Sequence, residues 1–101
     1  MFDKLMEAQQ KAGEVKKRLD AITVTGTVED GNIIVTANGN KVVRSVTIND
    51  DFFKGADKEE LEELLVVAVN KAMAQADNVS QSEMAAMTKD MFGGLGNLFG
   101  K

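Results

Sequence analysis

The amino-acid sequence predicts a single α+β domain. We expect an N-terminal helix, a three-stranded antiparallel meander and a long C-terminal helix (α-β-β-β-α), assembled as a homodimer. Residues 22–48 contain three runs of strand-favouring residues separated by two hairpin turn signals, and helix-forming segments flank them on both sides. We expect residues 1–91 to form the domain and residues 92–101 to form a glycine-rich mobile tail.

The first helix is predicted over residues 2–19, where apolar residues recur at roughly helical spacing and Gly13 is the one breaker. Its apolar stripe is thin, because Gln9 and Lys16 occupy positions where a coiled-coil seam requires apolar side chains. A helix with so little apolar surface is not stable alone, so we expect it to pack on a partner helix.

The turn signals of the meander are Asp30-Gly31 and Asn38-Gly39, which tolerate the positive φ angles of a type I′ hairpin turn. A two-residue loop at the first signal predicts three cross-strand pairs on one face of the sheet: Val28 with Ile33, Gly26 with Val35, and Val24 with Ala37. A loop at the second signal predicts Val35 opposite Val42, and Val46 and Ile48 continue the same face.

The opposite face of the meander carries mainly threonine and serine, so one face is predicted to be core and the other to face water. Val43 is an apolar exception on the wet face. Arg44 shares the parity of the apolar face. Two alternatives remain open for Arg44. Its long side chain extends to the rim of the sheet, or it lies near a dimer junction.

The chain then runs through a polar connection that contains Phe52 and Phe53, at least one of which we expect to close the end of the core. Asp57 is predicted to cap the second helix, with Glu60 in the capping-box position. This helix either continues past Asn78 or restarts at Ser80.

Residues 64–69 of the second helix read LLVVAV and are apolar on every side. A helix of this kind is buried on more than one side, and a three-stranded sheet covers only one of them. The simplest further cover is a second copy of the chain. The predicted dimer interface therefore comprises Leu64, Leu65, Val66, Val67 and Val69.

Charge is unevenly distributed along the chain, although the net charge is −4. Residues 11–18 carry four cations against one acid, and residues 50–63 carry seven acids against two lysines. Such segregation is typical of interaction surfaces, and each run is also compatible with a solvated helix face. The cations of the first run are Lys11, Lys16, Lys17 and Arg18.

The residue types exclude most catalytic chemistry. Histidine and cysteine are absent, so no serine–histidine or cysteine–histidine arrangement is available, and we expect neither an enzyme nor a cofactor nor a metal site. No signal peptide or membrane-spanning run is evident, which makes the cytoplasm the expected location. Two classes remain, a nucleic-acid-binding module and a dimeric protein-interaction adaptor.

Several spaced strings resemble the YbaB/EbfC family of bacterial nucleoid-associated proteins over roughly residues 5–78. These strings are G-N-I-I-V-T-A-N-G at 31–39, V-x-I-N-D at 46–50 and D-K-E-E-L-E-E-L-L-V-V-A-V-N-K-A at 57–72. The family pattern on the second helix is matched by Glu59, Leu61, Glu62, Leu65, Ala68, Asn70 and Ala72.

This resemblance implies a cytoplasmic, nucleoid-associated homodimer shaped like tweezers, which binds duplex DNA with little or modest sequence preference. It also implies protein partners in recombination, repair or gene regulation, and no membrane. The candidate DNA-binding residues are Lys11, Lys16, Lys17 and Arg18, because phosphate neutralisation by cations supplies affinity without sequence choice. The alternative is a non-enzymatic adaptor that contacts a protein through the acidic helix or the tail.

Overall fold

The computed structural model describes the backbone of residues 2–99 and the side chains of residues 3–89. The predicted α-β-β-β-α order is confirmed, with one short helix in addition. The three strands form one antiparallel sheet in the order β1-β2-β3. The elements are α1 (Phe2–Ala21), β1 (Thr23–Val28), β2 (Ile33–Asn38), β3 (Val43–Ile48), α2 (Asp50–Gly55) and α3 (Lys58–Phe99).

The first hairpin has the predicted register. Val28 pairs with Ile33, Gly26 with Val35 and Val24 with Ala37, and all six are buried. The threonines that alternate with them on β1 are exposed, as expected for a sheet with one wet face. At the turn, Asp30 and Gly31 have φ angles of 55° and 91°, and the Asn32 amide donates to the Glu29 carbonyl at 3.0 Å.

The second hairpin differs from the prediction. Val35 lies opposite Val46 and not opposite Val42, because the loop spans residues 39–42 and a β-bulge follows it. Positive φ occurs at Lys41 (67°). The bulge leaves Arg44 without a cross-strand partner and pairs Val43 with Ala37. Val43 therefore lies on the core face, which corrects the expectation that it faces water.

Helix α3 lies directly on the backbone of the sheet. Ala68, Ala72 and Ala76 recur at helical spacing and have no exposed surface. Where α3 crosses β1, a Cβ on Gly26 would overlap the Ala68 carbonyl oxygen and approach the Ala72 amide nitrogen to 2.6 Å. Small side chains on both elements therefore allow the helix and the strand to touch without a spacer.

Strand β3 forms an edge of the sheet that the rest of the chain leaves uncovered. Helix α3 packs on β1 and β2. Val46 is 47% exposed although its cross-strand partner Val35 is fully buried, and Val43 is 44% exposed. Only Ile48, at the end of β3, packs partly against the core. Within the described residues, the core face of β3 is an open apolar surface.

The polar connection after β3 folds into α2, a short helix that the sequence pattern did not predict. The Asn49 side chain caps it by accepting from the Phe52 amide at 3.0 Å, and two acids occupy its first turn. Phe52 packs partly against the core, which confirms the expectation for one of the two aromatics, while Phe53 is exposed.

Helix α3 begins where the sequence predicted. The Asp57 carbonyl accepts the Leu61 amide at 2.9 Å, which is the first helical hydrogen bond. The helix then runs without a break past Asn78 and Ser80, which decides between the two alternatives in favour of one continuous helix. Its backbone stays helical through residues 92–99, part of the segment assigned to the tail. The mobility of that tail remains a prediction.

We expect Gly26→Ala to lower the melting temperature by several degrees, because its Cβ overlaps the backbone of α3 and overpacking costs about 1–3 kcal/mol. Thermal denaturation followed by circular dichroism measures this change. Gly13→Ala is the matched control. A Cβ there meets nothing within 4 Å, and alanine favours the helix, so its melting temperature should not fall. Equal melting temperatures for the two variants would contradict the close contact.

Candidate nucleic-acid interface

The loop between β2 and β3 covers the C-terminal end of α1. The last carbonyls of a helix have no partner within it, and here the loop supplies partners. The Gly39 amide donates to the Leu19 carbonyl at 2.8 Å, and the Arg44 guanidinium donates to the Asp20 carbonyl at 3.4 Å. A Cβ on Gly39 would lie 2.8 Å from the Leu19 side chain and 3.0 Å from the Leu19 carbonyl oxygen, so glycine allows this close approach.

Two asparagines hold this loop in shape. The Asn38 side-chain oxygen accepts from the amides of Asn40 and Val42 at 2.9 and 3.0 Å, although Asn38 is only 3% exposed. The Asn40 side-chain nitrogen donates to the Lys16 carbonyl at 3.0 Å and to an Asp20 carboxylate oxygen at 2.5 Å. The loop and the end of α1 therefore form one hydrogen-bonded unit.

The same end of α1 also packs against α3. Val15 and Leu19 are its buried residues, at 3% and 4% exposure. Arg18 donates from Nε to Glu83 on α3 at 3.0 Å. This packing confirms that α1 leans on a partner helix, and that helix belongs to its own chain.

The four predicted DNA-binding residues differ in their surroundings. Lys16 and Lys17 are exposed, and no carboxylate of the described residues lies within ion-pair distance of either. Arg18 is paired with Glu83, and Lys11 lies 3.7 Å from Glu7 on its own helix. Lys16 and Lys17 are therefore the cations of this set that are best placed to meet an anion.

Two further cations, which the charge pattern of the sequence did not indicate, reach the same end of the molecule. Lys41 and Arg44 come from the β2–β3 loop and the bulge, next to the last turn of α1. Both side chains are exposed, and that of Arg44 adjoins the C-terminus of α1, where cations are favoured by the helix dipole. We call this surface, made of Lys16, Lys17, Arg18, Lys41 and Arg44, the basic end.

Nine of the 16 acids lie at the opposite end of the sheet, whereas Asp20, Asp77 and Glu83 lie at the basic end. Each strand is six residues long, so the β1–β2 turn and α2 lie roughly 20 Å from the β2–β3 loop. Helix α3 starts at this acidic end, contacts Thr27 through Lys71, and reaches the basic end where Asp77 pairs with Lys41. The acids of the acidic end are Glu29, Asp30, Asp50, Asp51, Asp57, Glu59, Glu60, Glu62 and Glu63.

The residues predicted for the dimer interface divide into two groups. Leu64, Leu65 and Val69 pack partly against the core of their own chain. Val66 and Val67 are 60% and 44% exposed. The single chain therefore covers one side of the apolar run and leaves another side open.

Other kinds of site find little support in the part of the chain that the structure describes. No group of three or more acidic residues there is arranged to hold a metal ion. None of the described helices is long and apolar enough to cross a membrane.

Comparison with known proteins gives a consistent result. Residues 1–91 match the model of the YbaB/EbfC DNA-binding family. A nucleoid-associated protein of Flavobacterium johnsoniae is 39% identical over 98% of this chain and 94% of its own length. A nucleoid-associated protein of Thermus thermophilus is 38% identical over 99% of this chain and 96% of its own length.

The fold also resembles a solved structure. An uncharacterised protein of Helicobacter pylori superposes with a TM-score of 0.65 at 17% sequence identity, covering 87% of this chain and 88% of that one. At this identity the comparison supports the fold alone.

We expect Asn40→Ala to destabilise the protein by about 1 kcal/mol, because the Lys16 carbonyl and the Asp20 carboxylate each lose a donor. Thermal denaturation measures the loss, and faster amide hydrogen exchange at residues 19–22 locates it at the end of α1. Asn32→Ala is the matched control. Its φ is −68°, and its side chain makes no hydrogen bond among those described. Identical behaviour of the two variants would show that the loop does not hold α1.

Proposed function

Since this chain belongs to the YbaB/EbfC DNA-binding family, we propose that it binds duplex DNA through its basic end, as a tweezer-like homodimer. The binding has little or modest sequence preference, and the protein works in the cytoplasm at the nucleoid. The observation that carries the proposal is the convergence of five cations from α1, the β2–β3 loop and β3 on one end of the fold, away from the acidic end.

The proposed binding relies on phosphate neutralisation. Lysine and arginine side chains displace counterions condensed on the duplex, and this release supplies affinity that does not depend on base sequence. The chain has a net charge of −4, so binding requires that most of the acids stay distant from the phosphates. A separation of roughly 20 Å exceeds the Debye length of about 8 Å at physiological ionic strength, so repulsion from the acidic end is largely screened.

The homodimer is supported by two exposed apolar surfaces. Val66 on α3 is 60% exposed, and Val46 on the core face of β3 is 47% exposed. Strand β3 is also a sheet edge with unpaired backbone groups, which is a template for pairing with another strand. A second copy of the chain covers both surfaces at once, and it needs no additional type of partner.

A dimer also provides the tweezer-like arrangement. A two-fold axis places two copies of the basic end on one assembly, separated by the joined cores. Each copy engages phosphates on the same duplex, so the second contact forms at a high effective concentration.

We expect Lys16→Gln/Lys17→Gln to weaken binding to all duplexes alike. The variant should also make the slope of log affinity against log salt shallower by up to about two units, because each lost phosphate contact reduces the magnitude of that slope by about 0.9. Fluorescence anisotropy with two unrelated short duplexes at about 50 mM and about 200 mM salt measures both quantities.

Lys54→Gln/Lys58→Gln is the matched control, since it removes the same charge from the region of the acidic end. Circular dichroism and light scattering confirm that both variants are folded and assembled like the wild type. Equal losses in the two variants would contradict the basic end as the DNA site. A folded dimer that binds no duplex would favour the adaptor alternative, with the acidic end as its contact surface.

We expect Val66→Lys and Val46→Lys each to convert the dimer into a monomer, as measured by light scattering at micromolar concentration. Within one chain these side chains are largely exposed, so lysine there should cost little stability unless a partner covers the site. Thr25→Lys, on the wet face of β1, is the control and should remain dimeric. A monomeric wild type would contradict the homodimer.

A further inference from the structure

We propose that Glu83 and Asp77 on α3 compete with DNA phosphates for cations of the basic end and so set the affinity of this protein for DNA. This inference rests on the proposed function and deepens it. It assigns an affinity-lowering role to two acidic residues that lie outside the predicted interface.

The two acids make the ion pairs that join different elements among the described residues. Arg18 on α1 donates to Glu83 at 3.0 Å, and Lys41 in the β2–β3 loop pairs with Asp77. The other described pairs, Lys11 with Glu7 and Lys58 with Glu62, each lie within one helix at i,i+4 spacing. Two of the five cations of the basic end therefore already hold a carboxylate.

A carboxylate in this position occupies a site that a phosphate oxygen requires. Carboxylate and phosphate both accept charge-assisted hydrogen bonds from guanidinium and ammonium groups in similar geometry. Arg18 and Lys41 are about half exposed, at 50% and 51%, so DNA can reach them without unfolding the protein. To bind a phosphate, each of these two cations must break its ion pair with the carboxylate or interact with both anions at once.

The exchange has a cost that a salt titration detects. A carboxylate freed by this exchange attracts a cation from solution, and that uptake offsets part of the counterion release from DNA. Breaking an exposed ion pair costs up to about fivefold in an equilibrium constant. The paired cations therefore contribute less affinity, and a shallower salt slope, than unpaired Lys16 and Lys17.

A purely structural role of the ion pair predicts no increase in DNA affinity when the acid is neutralised. If the Arg18–Glu83 pair served only to hold α1 against α3, its loss would loosen the basic end and leave DNA binding unchanged or weaker. Competition predicts tighter binding when the acid is neutralised. The direction of the change therefore separates the two roles.

We expect Glu83→Gln to raise the affinity for duplex DNA by about two- to fivefold at low salt and to steepen the salt slope by up to about one unit. Fluorescence anisotropy at about 50 mM and about 200 mM salt measures both changes. Glu14→Gln is the matched control. It removes one negative charge from an exposed position one turn before Arg18, where no ion pair is found within the described residues.

A double-mutant cycle isolates the pair. In an Arg18→Gln background, Glu83→Gln should give no gain beyond that of Glu14→Gln, because the cation that it releases is absent. Asp77→Asn should behave in the same way, with a gain that disappears in a Lys41→Gln background. Circular dichroism verifies that each variant is folded before its affinity is compared.

The results separate failure of this inference from failure of the proposed function. If wild type binds duplex DNA and Lys16→Gln/Lys17→Gln weakens it, but Glu83→Gln gains no more than Glu14→Gln, only this inference is overturned. A gain larger than that of Glu14→Gln that persists in the Arg18→Gln background also overturns it, since the effect would then not depend on release of Arg18. A wild type that binds no duplex at either salt concentration overturns the proposed function, and this inference with it.

Discussion

The contact between the backbones of α3 and β1 at Gly26 is the constraint on which the rest of the fold depends. With Ala68 and Ala72 against the strand, no side chain separates helix and sheet, so the line of α3 over β1 and β2 is determined within narrow limits. Two consequences follow. Helix α3 does not cover most of strand β3. At the end of the sheet where α3 extends beyond the strands, α1 packs against α3.

That same end of the sheet contains both the hydrogen bonds that hold the end of α1 and the cations of the basic end. The β2–β3 loop and the adjoining strand donate to the Lys16, Leu19 and Asp20 carbonyls of α1, and they bring Lys41 and Arg44 to the same end of the fold as Lys16 and Lys17. A helix C-terminus carries partial negative charge, so cations collected there are favoured before any ligand arrives. The hydrogen bonds that orient α1 thus also assemble the basic end, which links the stability of the loop to the proposed DNA-binding surface.

The proposed binding of DNA by a protein with net negative charge requires that its acidic and basic side chains lie on separate surfaces. The register of the first hairpin places the β1–β2 turn, α2 and the start of α3 at one end of the sheet, and the cations lie at the other. Three acids depart from this separation. Helix α3 carries Asp77 and Glu83 into the basic end, and Asp20 lies in the last turn of α1 against the β2–β3 loop.

The sequence by itself determined the features that depend on neighbouring residues. The register and core face of the first hairpin, the start of α3 and the apolar run at 64–69 were all predicted, because strand alternation, turn chemistry and residue preferences at helix starts act over a few residues. The family strings added the DNA-binding class, which the match over residues 1–91 supports.

Tertiary structure alone decided the remainder. The four-residue loop is held locally by the Asn38 side chain, but Gly39 and Asn40 also bond to α1, some twenty residues away in sequence, and no local pattern records those contacts. The pairing of Arg18 with Glu83, 65 residues apart, likewise depends on where α3 crosses the sheet. Interactions between neighbouring residues determine the helices and strands of this protein. The close contact at Gly26 and the bonds between the β2–β3 loop and α1 determine which charged side chains come together.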